Sequence, residues 1–375
     1  MKALSVYIHI PFCVQKCKYC DFLSAPSTKE AREEYIEALK REMISEAAAY
    51  QEYEVKTVFF GGGTPSILES EQIRECMEVL KKHYRFADDA EISMEMNPGT
   101  ASKDKLRVMK DVGINRLSIG LQSAVDEELR MLGRIHTYAD FENTYYAARE
   151  AGFTNINIDL MSAIPGQSVK GWRETLQRVV NLKPEHISAY SLIIEEGTPL
   201  FENIESFPAI PSEEEDRIMY QYTKSLLKMQ GFERYEISNY AKPGYECKHN
   251  VVYWTRGNYA GFGLGAASMV ENIRWKNTDD MKTYLEQQKL KEEVQALSKS
   301  ECMEEFMYLG LRRMRGVSCK EFEESFGISM NEVYGEVLRH WMNMGVLQRD
   351  GDYVALTDAG IDVSNQIFAD FLLDE

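Results

Sequence analysis

The feature that most constrains this chain is a rhythm. Short β-rich runs, roughly Leu4–Ile10, Val55–Phe60, Glu91–Met96, Arg116–Leu121, Asn155–Met161 and His186–Ile193, alternate with helix-period stretches over Lys29–Tyr50, Glu69–Tyr84, Ser102–Val112, Tyr138–Ala151 and Val169–Leu182. Strands alternating with helices predict right-handed βα units and a parallel sheet, hence an α/β fold. About six units fall short of the eight that close a barrel. The rhythm therefore predicts an open or partial (β/α)6 barrel of TIM-like build. A doubly wound sheet has the same periodicity, and periodicity alone does not separate the two.

Unusual residues collect at the C-terminal strand ends. Gly61-Gly62-Gly63-Thr64-Pro65 follows the second run, Glu95 closes the third, Gln122 the fourth, and Asp159 lies near the end of the fifth. The first run leads into HIPFCVQKCKYCDF, with Cys13, Cys17 and Cys20 spaced C-x3-C-x2-C and no fourth cysteine close behind. In a parallel α/β fold these ends meet at one mouth, where such folds build active sites. Three thiolates in one loop suit a cubane iron–sulfur cluster with one iron left open to a small molecule. The other readings are three free thiols or part of a zinc site. Zinc wants a second cysteine or histidine pair, and none lies nearby.

Seven cysteines, four of them scattered (Cys76, Cys247, Cys302, Cys319), do not form a disulfide framework. A reducing cytoplasmic setting follows. The N-terminal MKALSVYIHIPFC is too short, contains His9 and lacks a small-residue cleavage site, so it does not read as a signal peptide. No apolar run approaches the roughly 18 residues that span a bilayer; peripheral membrane contact stays open. A net charge of −17 argues against a nucleic-acid footprint.

After Ile194 the rhythm changes. An irregular stretch with Pro208 and Pro211 leads to a helix over Pro211–Gln230. An aromatic segment, FERYEISNYAKPGYECKHNVVYWTRGNYAGFGLGAAS, reads as short strands and loops closing the core, and Lys282–Glu293 reads as a charged helix. Helices over Lys299–Met314, Ser318–Phe326 and Met330–Met344 precede a hairpin, Leu347–Leu356, and a final helix after Thr357. That is a winged-helix-like pattern. From Lys299 onward seven Lys and Arg face fifteen Asp and Glu, the wrong sign for DNA. The chain divides into a core barrel (1–230), a closing segment (231–297) and a C-terminal winged-helix-like domain (298–375).

In order along the chain, YIHIPFCVQKCKYCDF, FFGGGTPS, MEMNPG, RLSIGLQS, INIDLMSAIPGQ, ISAYSLIIEEGTPL and HNVVYW resemble the radical SAM superfamily, and within it the oxygen-independent coproporphyrinogen III oxidase-like proteins. The resemblance implies a [4Fe–4S] cluster on Cys13, Cys17 and Cys20. Its open iron would bind S-adenosylmethionine (SAM), and one electron would break the sulfonium bond to give a 5′-deoxyadenosyl radical. It also implies SAM contacts from Tyr7, Gly62, Gly63 and Glu95. A second SAM would contact Tyr19, Thr64, Gln122, Arg134 and Asp159; an internal Arg134–Asp159 salt bridge is the plainer reading of that pair. Residues without a Cβ let backbone approach a ligand closely, which suits the glycine turn.

Two features depart from the oxidase. Phe22 stands where the oxidases carry another cysteine, and CDF resembles the heme chaperone branch. HNVVYW matches a motif associated there with heme, which implies His249 as a heme ligand; imidazole is a natural axial ligand. Its plainer reading is a histidine bonded into a turn. Cys247 does not complete a C-x-x-C-H attachment signature. The reading that follows is a heme chaperone that passes heme to an acceptor protein, such as a membrane-bound respiratory protein. An electron donor serves the cluster, and a homodimer stays open. Radical decarboxylation of coproporphyrinogen propionates in porphyrin biosynthesis is the alternative, with methyl transfer and a DNA-binding regulator behind it.

Overall fold

A computed structural model describes residues 1–373; the last two residues of the C-terminal domain expected from the sequence lie outside it. Six parallel strands form the core in chain order: β1 (Lys2–Ile10), β2 (Tyr53–Gly62), β3 (Phe86–Met96), β4 (Arg116–Gln122), β5 (Ile156–Ser162) and β6 (His186–Ser191). Their outward-facing residues are apolar and fully enclosed by helices, as at Val6, Ile8, Val58, Phe60, Met94, Ile119, Ile158 and Ile187. β6 does not return to β1, so the barrel stays open. Tyr259–Phe262 runs parallel to β1, and Ala267–Val270, Ile273–Asn277 and Lys291–Ala296 extend that edge antiparallel. Asn239–Ala241 and Glu233–Arg234 extend the β6 edge, giving twelve strands. The partial barrel is the architecture, and the doubly wound alternative falls.

The helices expected between the strands form at nearly their expected positions, helped by side-chain caps at Thr28, Ser102, Thr137 and Ser168. Three expectations fail. A short helix, Asp126–Met131, has no counterpart in the sequence reading. Lys282–Glu293 is not one helix: it stops at Glu286, Gln287 takes a left-handed cap (φ 57°), and Lys291–Ala296 pairs as an edge strand. Its charges suit an edge as well as a helix face. HNVVYW is helical rather than strand or loop, within Lys248–Trp254. The cause is tertiary. The Glu91 carboxylate, on β3, accepts from Lys248 N (3.3 Å) and His249 N (3.2 Å) and so caps the helix from across the barrel.

A second core, built on Met307, Leu311, Phe322, Tyr334, Leu338 and Val354, holds the C-terminal helices and hairpin. It packs under the barrel. Buried Glu305 takes Arg256 Nε at 2.9 Å and also pairs with Arg274, while Arg312 stacks 4.5 Å over Trp254 of the helix just described. Among the described residues no helix is long and apolar enough to cross a membrane.

The first helix, Lys29–Glu46, is tied to the closing segment by one buried acid. Glu42 accepts from Gly263 N (2.9 Å), Asn277 Nδ2 (2.6 Å) and Tyr284 Oη (2.7 Å). Burial outweighs these three donors and raises its carboxyl from 4.5 to about 7. A raised folded-state value stabilises the protein below the unfolded one and loses that contribution as pH climbs through about 7. Denaturant unfolding is therefore expected to show on the order of 3 kcal/mol lost between these limits, and Glu42→Gln should flatten that slope.

Candidate functional site

The inward-facing side of the barrel is polar, which explains why it holds space rather than a packed core. Ser5 and Tyr7, Thr57 and Phe59, Glu91, Ser93 and Glu95, Arg116 and Ser118, Asn157 and Asp159, and His186 and Ser188 alternate with the apolar outward set. Two connected spaces result.

The upper one, about 380 Å³, opens at the mouth. It is lined by Cys13, Cys17, Cys20, Tyr19, Gly62, Gly63, Thr64, Glu95, Gln122, Arg134 and Asp159. These are all the residues singled out in the sequence except Tyr7 and His249, which line the space beneath. That lower chamber, about 170 Å³, shares Glu95, Ser118, Asp159 and Tyr190 with the upper cavity.

The cysteine loop is held down at a few backbone points: Lys18 N donates to Leu132 O at 3.0 Å, and Leu200 N to Lys18 O at 2.8 Å. Burial pushes the Cys13 and Cys20 thiols up. Among the described residues no three acidic, cysteine or histidine side chains converge tightly enough for a single metal ion. Three thiols facing one cavity instead suit a group wider than one ion, such as a cubane cluster.

The glycine turn is forced by close approach. Gly62 has φ +113°, and a Cβ on Gly63 would lie 2.5 Å from the Phe12 carbonyl oxygen. Gly63 N reaches Ile10 O at 2.8 Å and Thr64 N reaches Phe12 O at 2.7 Å, which clamps the turn to the cysteine loop. Gly63→Ala should lower stability by about 1–3 kcal/mol, measured by thermal unfolding.

Glu95 is partly buried and accepts from Gly62 N at 3.1 Å. Burial, then the neighbouring Asp159 charge, lift it to about 8. Asp159 is lifted too, chiefly by burial, against hydrogen bonds from Ser118 Oγ (3.0 Å) and Asn157 Nδ2 (2.8 Å). The Arg134–Asp159 salt bridge is not formed. Arg134 donates instead to Asn97 Oδ1 (2.7 Å), Gly120 O (2.6 Å) and Cys17 Sγ (3.5 Å). Gln122 sits at φ 71° beside a register shift in β4, a strained backbone that aims its side chain into the cavity. Tyr7 Oη meets His9 Nδ1 at 3.1 Å.

His249 is 1 % exposed. Its Nδ1 meets Thr57 Oγ1 at 2.8 Å and its Nε2 meets Tyr253 Oη at 2.9 Å. Burial, then the Arg116 charge, press its imidazole down to about 3, so the ring is neutral. As held here neither nitrogen is free for an iron, and the chamber before it is far smaller than a porphyrin. Heme does not fit at His249 in this arrangement. Cys247 is likewise enclosed, with its Sγ 3.8 Å from Glu91.

Sequence reasoning missed Asn97, which joins Thr64 to Arg134 through a 2.8 Å bond from its Nδ2 to Thr64 Oγ1. It also missed Arg116, Ser118 and Tyr190. The signal was there: polar residues at every second position of each strand.

The fold and the cysteine-lined mouth define a radical SAM protein. The radical SAM superfamily model matches residues 7–179, and the HemN C-terminal domain model matches residues 297–363. The chain is 37% identical to the heme chaperone HemW of Bacillus subtilis (strain 168), over 98% of this chain and 99% of that one. It is 36% identical to the heme chaperone HemW of Lactococcus lactis subsp. lactis (strain IL1403), over 100% and 98%. A solved structure of coproporphyrinogen III oxidase (HemN) from Escherichia coli superposes with a TM-score of 0.86 at 25% identity, covering 99% of this chain and 90% of that one. The chain belongs to the HemW family of radical SAM proteins.

Proposed function

We propose that this chain is a heme chaperone: it takes heme at the barrel mouth and passes it to an acceptor protein. The observation that carries this is an apolar rim around the cysteine loop. Phe22, in the place of the oxidases' extra cysteine, is 61% exposed and lines the cavity. Val14, Leu23, Ile135 and Ile193, on the loops of the same mouth, and Phe201, in the short helix Pro199–Glu202, are exposed as well. Exposed large apolar residues clustered on one face mark a binding surface. Lys16 lines the same opening and can meet a propionate. The relatives named above are heme chaperones by name, which agrees. The acceptor belongs at this mouth too, because the opposite end of the barrel is occupied by the C-terminal domain.

Cys13, Cys17 and Cys20 hold a [4Fe–4S] cluster in this reading, and Gly62, Gly63 and Glu95 hold SAM. Reduced and loaded, that pair supplies radical chemistry through cleavage of the SAM sulfonium. The protein's own part is orientation and charge. Glu95 would face the SAM ammonium, and a cation beside it would lower the value that burial had raised; SAM uptake below about pH 8 is therefore expected to release a proton from Glu95. Tyr19, Thr64, Gln122, Arg134 and Asp159 form the far wall, where a second SAM would rest, its carboxylate on Arg134.

The whole-chain likeness to the oxidase supports a second reading, propionate decarboxylation. Anaerobic incubation with coproporphyrinogen III, SAM and a reductant separates them: vinyl products would replace the chaperone reading, and unchanged substrate beside tight heme binding supports it.

A further inference from the structure

The lower chamber holds a group that the cluster, SAM and the rim do not use. Arg116 is 2% exposed and lines the chamber; its Nε is buried with no hydrogen-bond partner, and its guanidinium forms no ion pair among the described residues. A guanidinium carries five donors and a full charge, and burying it without partners is costly. The neighbouring acids are already engaged. Glu91 serves the helix Lys248–Trp254, Asp159 accepts from Ser118 and Asn157, and Glu95 accepts from Gly62. His249 and His186 bring no competing charge, since burial holds both neutral. One face of the chamber is aromatic, from Tyr7, Phe59 and Tyr253; the other carries Ser118, Asn157 and Ser188.

We propose that this chamber is a binding site for a carboxylate on a short aliphatic arm, held by Arg116. A single planar anion matches the guanidinium fork. Two or three methylene groups suit the aromatic face. Such an arm belongs either to a free short-chain acid or to a propionate of a tetrapyrrole. The inference does not depend on the chaperone reading.

Propionate and the isosteric neutral propionamide, titrated calorimetrically into the full-length, cluster-reconstituted protein before SAM is added, test the site. Propionate should bind about tenfold or more tightly than propionamide, and Arg116→Gln should lose about the same factor. Equal binding of acid and amide, no propionate binding, or unaltered binding in the variant overturns the proposal. If Arg116→Gln does not fold, the acid–amide comparison in the unaltered chain decides alone. Heme added to the propionate-loaded protein assigns the source: displacement marks the tetrapyrrole's own arm, and simultaneous binding marks a free acid.

Discussion

Cys13→Ala, Cys17→Ala and Cys20→Ala are each expected to abolish iron loading: reconstituted wild type should carry about four irons and four sulfides per chain, and each variant should fall to background. The three thiols converge on the mouth cavity, and no other described cysteine does. Cys76, Cys247 and Cys302 are buried elsewhere, and Cys319 lies in the C-terminal domain. No spare thiolate can therefore take over. Cys17 and Cys20 stand in a partly exposed loop outside both cores, so their variants should unfold at the wild-type temperature in the absence of iron. Iron and sulfide assays beside thermal unfolding check both halves. Full loading in any one variant would remove the cluster assignment.

The second large effect concerns heme. Phe22→Asp should weaken heme binding by about tenfold or more, because it removes an apolar contact of about 2 kcal/mol and sets a carboxylate on the rim. His249→Ala should leave the affinity within about threefold, since His249 is closed off by Thr57 and Tyr253. Absorbance titrations under anaerobic conditions measure both. A Soret band lost in His249→Ala and kept in Phe22→Asp would reverse the assignment and require the floor of the barrel to open.

Much of this was legible from the residues. The strand–helix alternation carried the partial barrel because each βα unit is local, with caps such as Ser102 and Thr137 beside the helices they start. The mouth was legible because parallel strands bring Gly62, Glu95, Gln122 and Asp159 to one end whatever the details of twist. What failed was set across long distances. The helix Lys248–Trp254 begins where Glu91 caps it, more than 150 residues away, and nothing within HNVVYW announces that. Lys282–Glu293 splits because a neighbouring strand needed a partner. His249 was read by its motif, whereas its hydrogen bonds depend on Thr57 and on Tyr253 being brought to its two nitrogens. Arg116 was passed over because a charge opening a strand looks like a surface residue until the barrel curls around it.

The helix Lys248–Trp254, with the C-terminal domain behind it, gives the barrel interior a blind end. Molecules entering such a cup are stacked, and a stack empties in reverse order. With SAM in the upper cavity, as proposed, a guest that reaches the lower chamber through the mouth would have to arrive before SAM and leave after it, so the residence time of the deeper guest would follow the dissociation of the shallower one. Loading order, rather than affinity alone, then decides which complexes form.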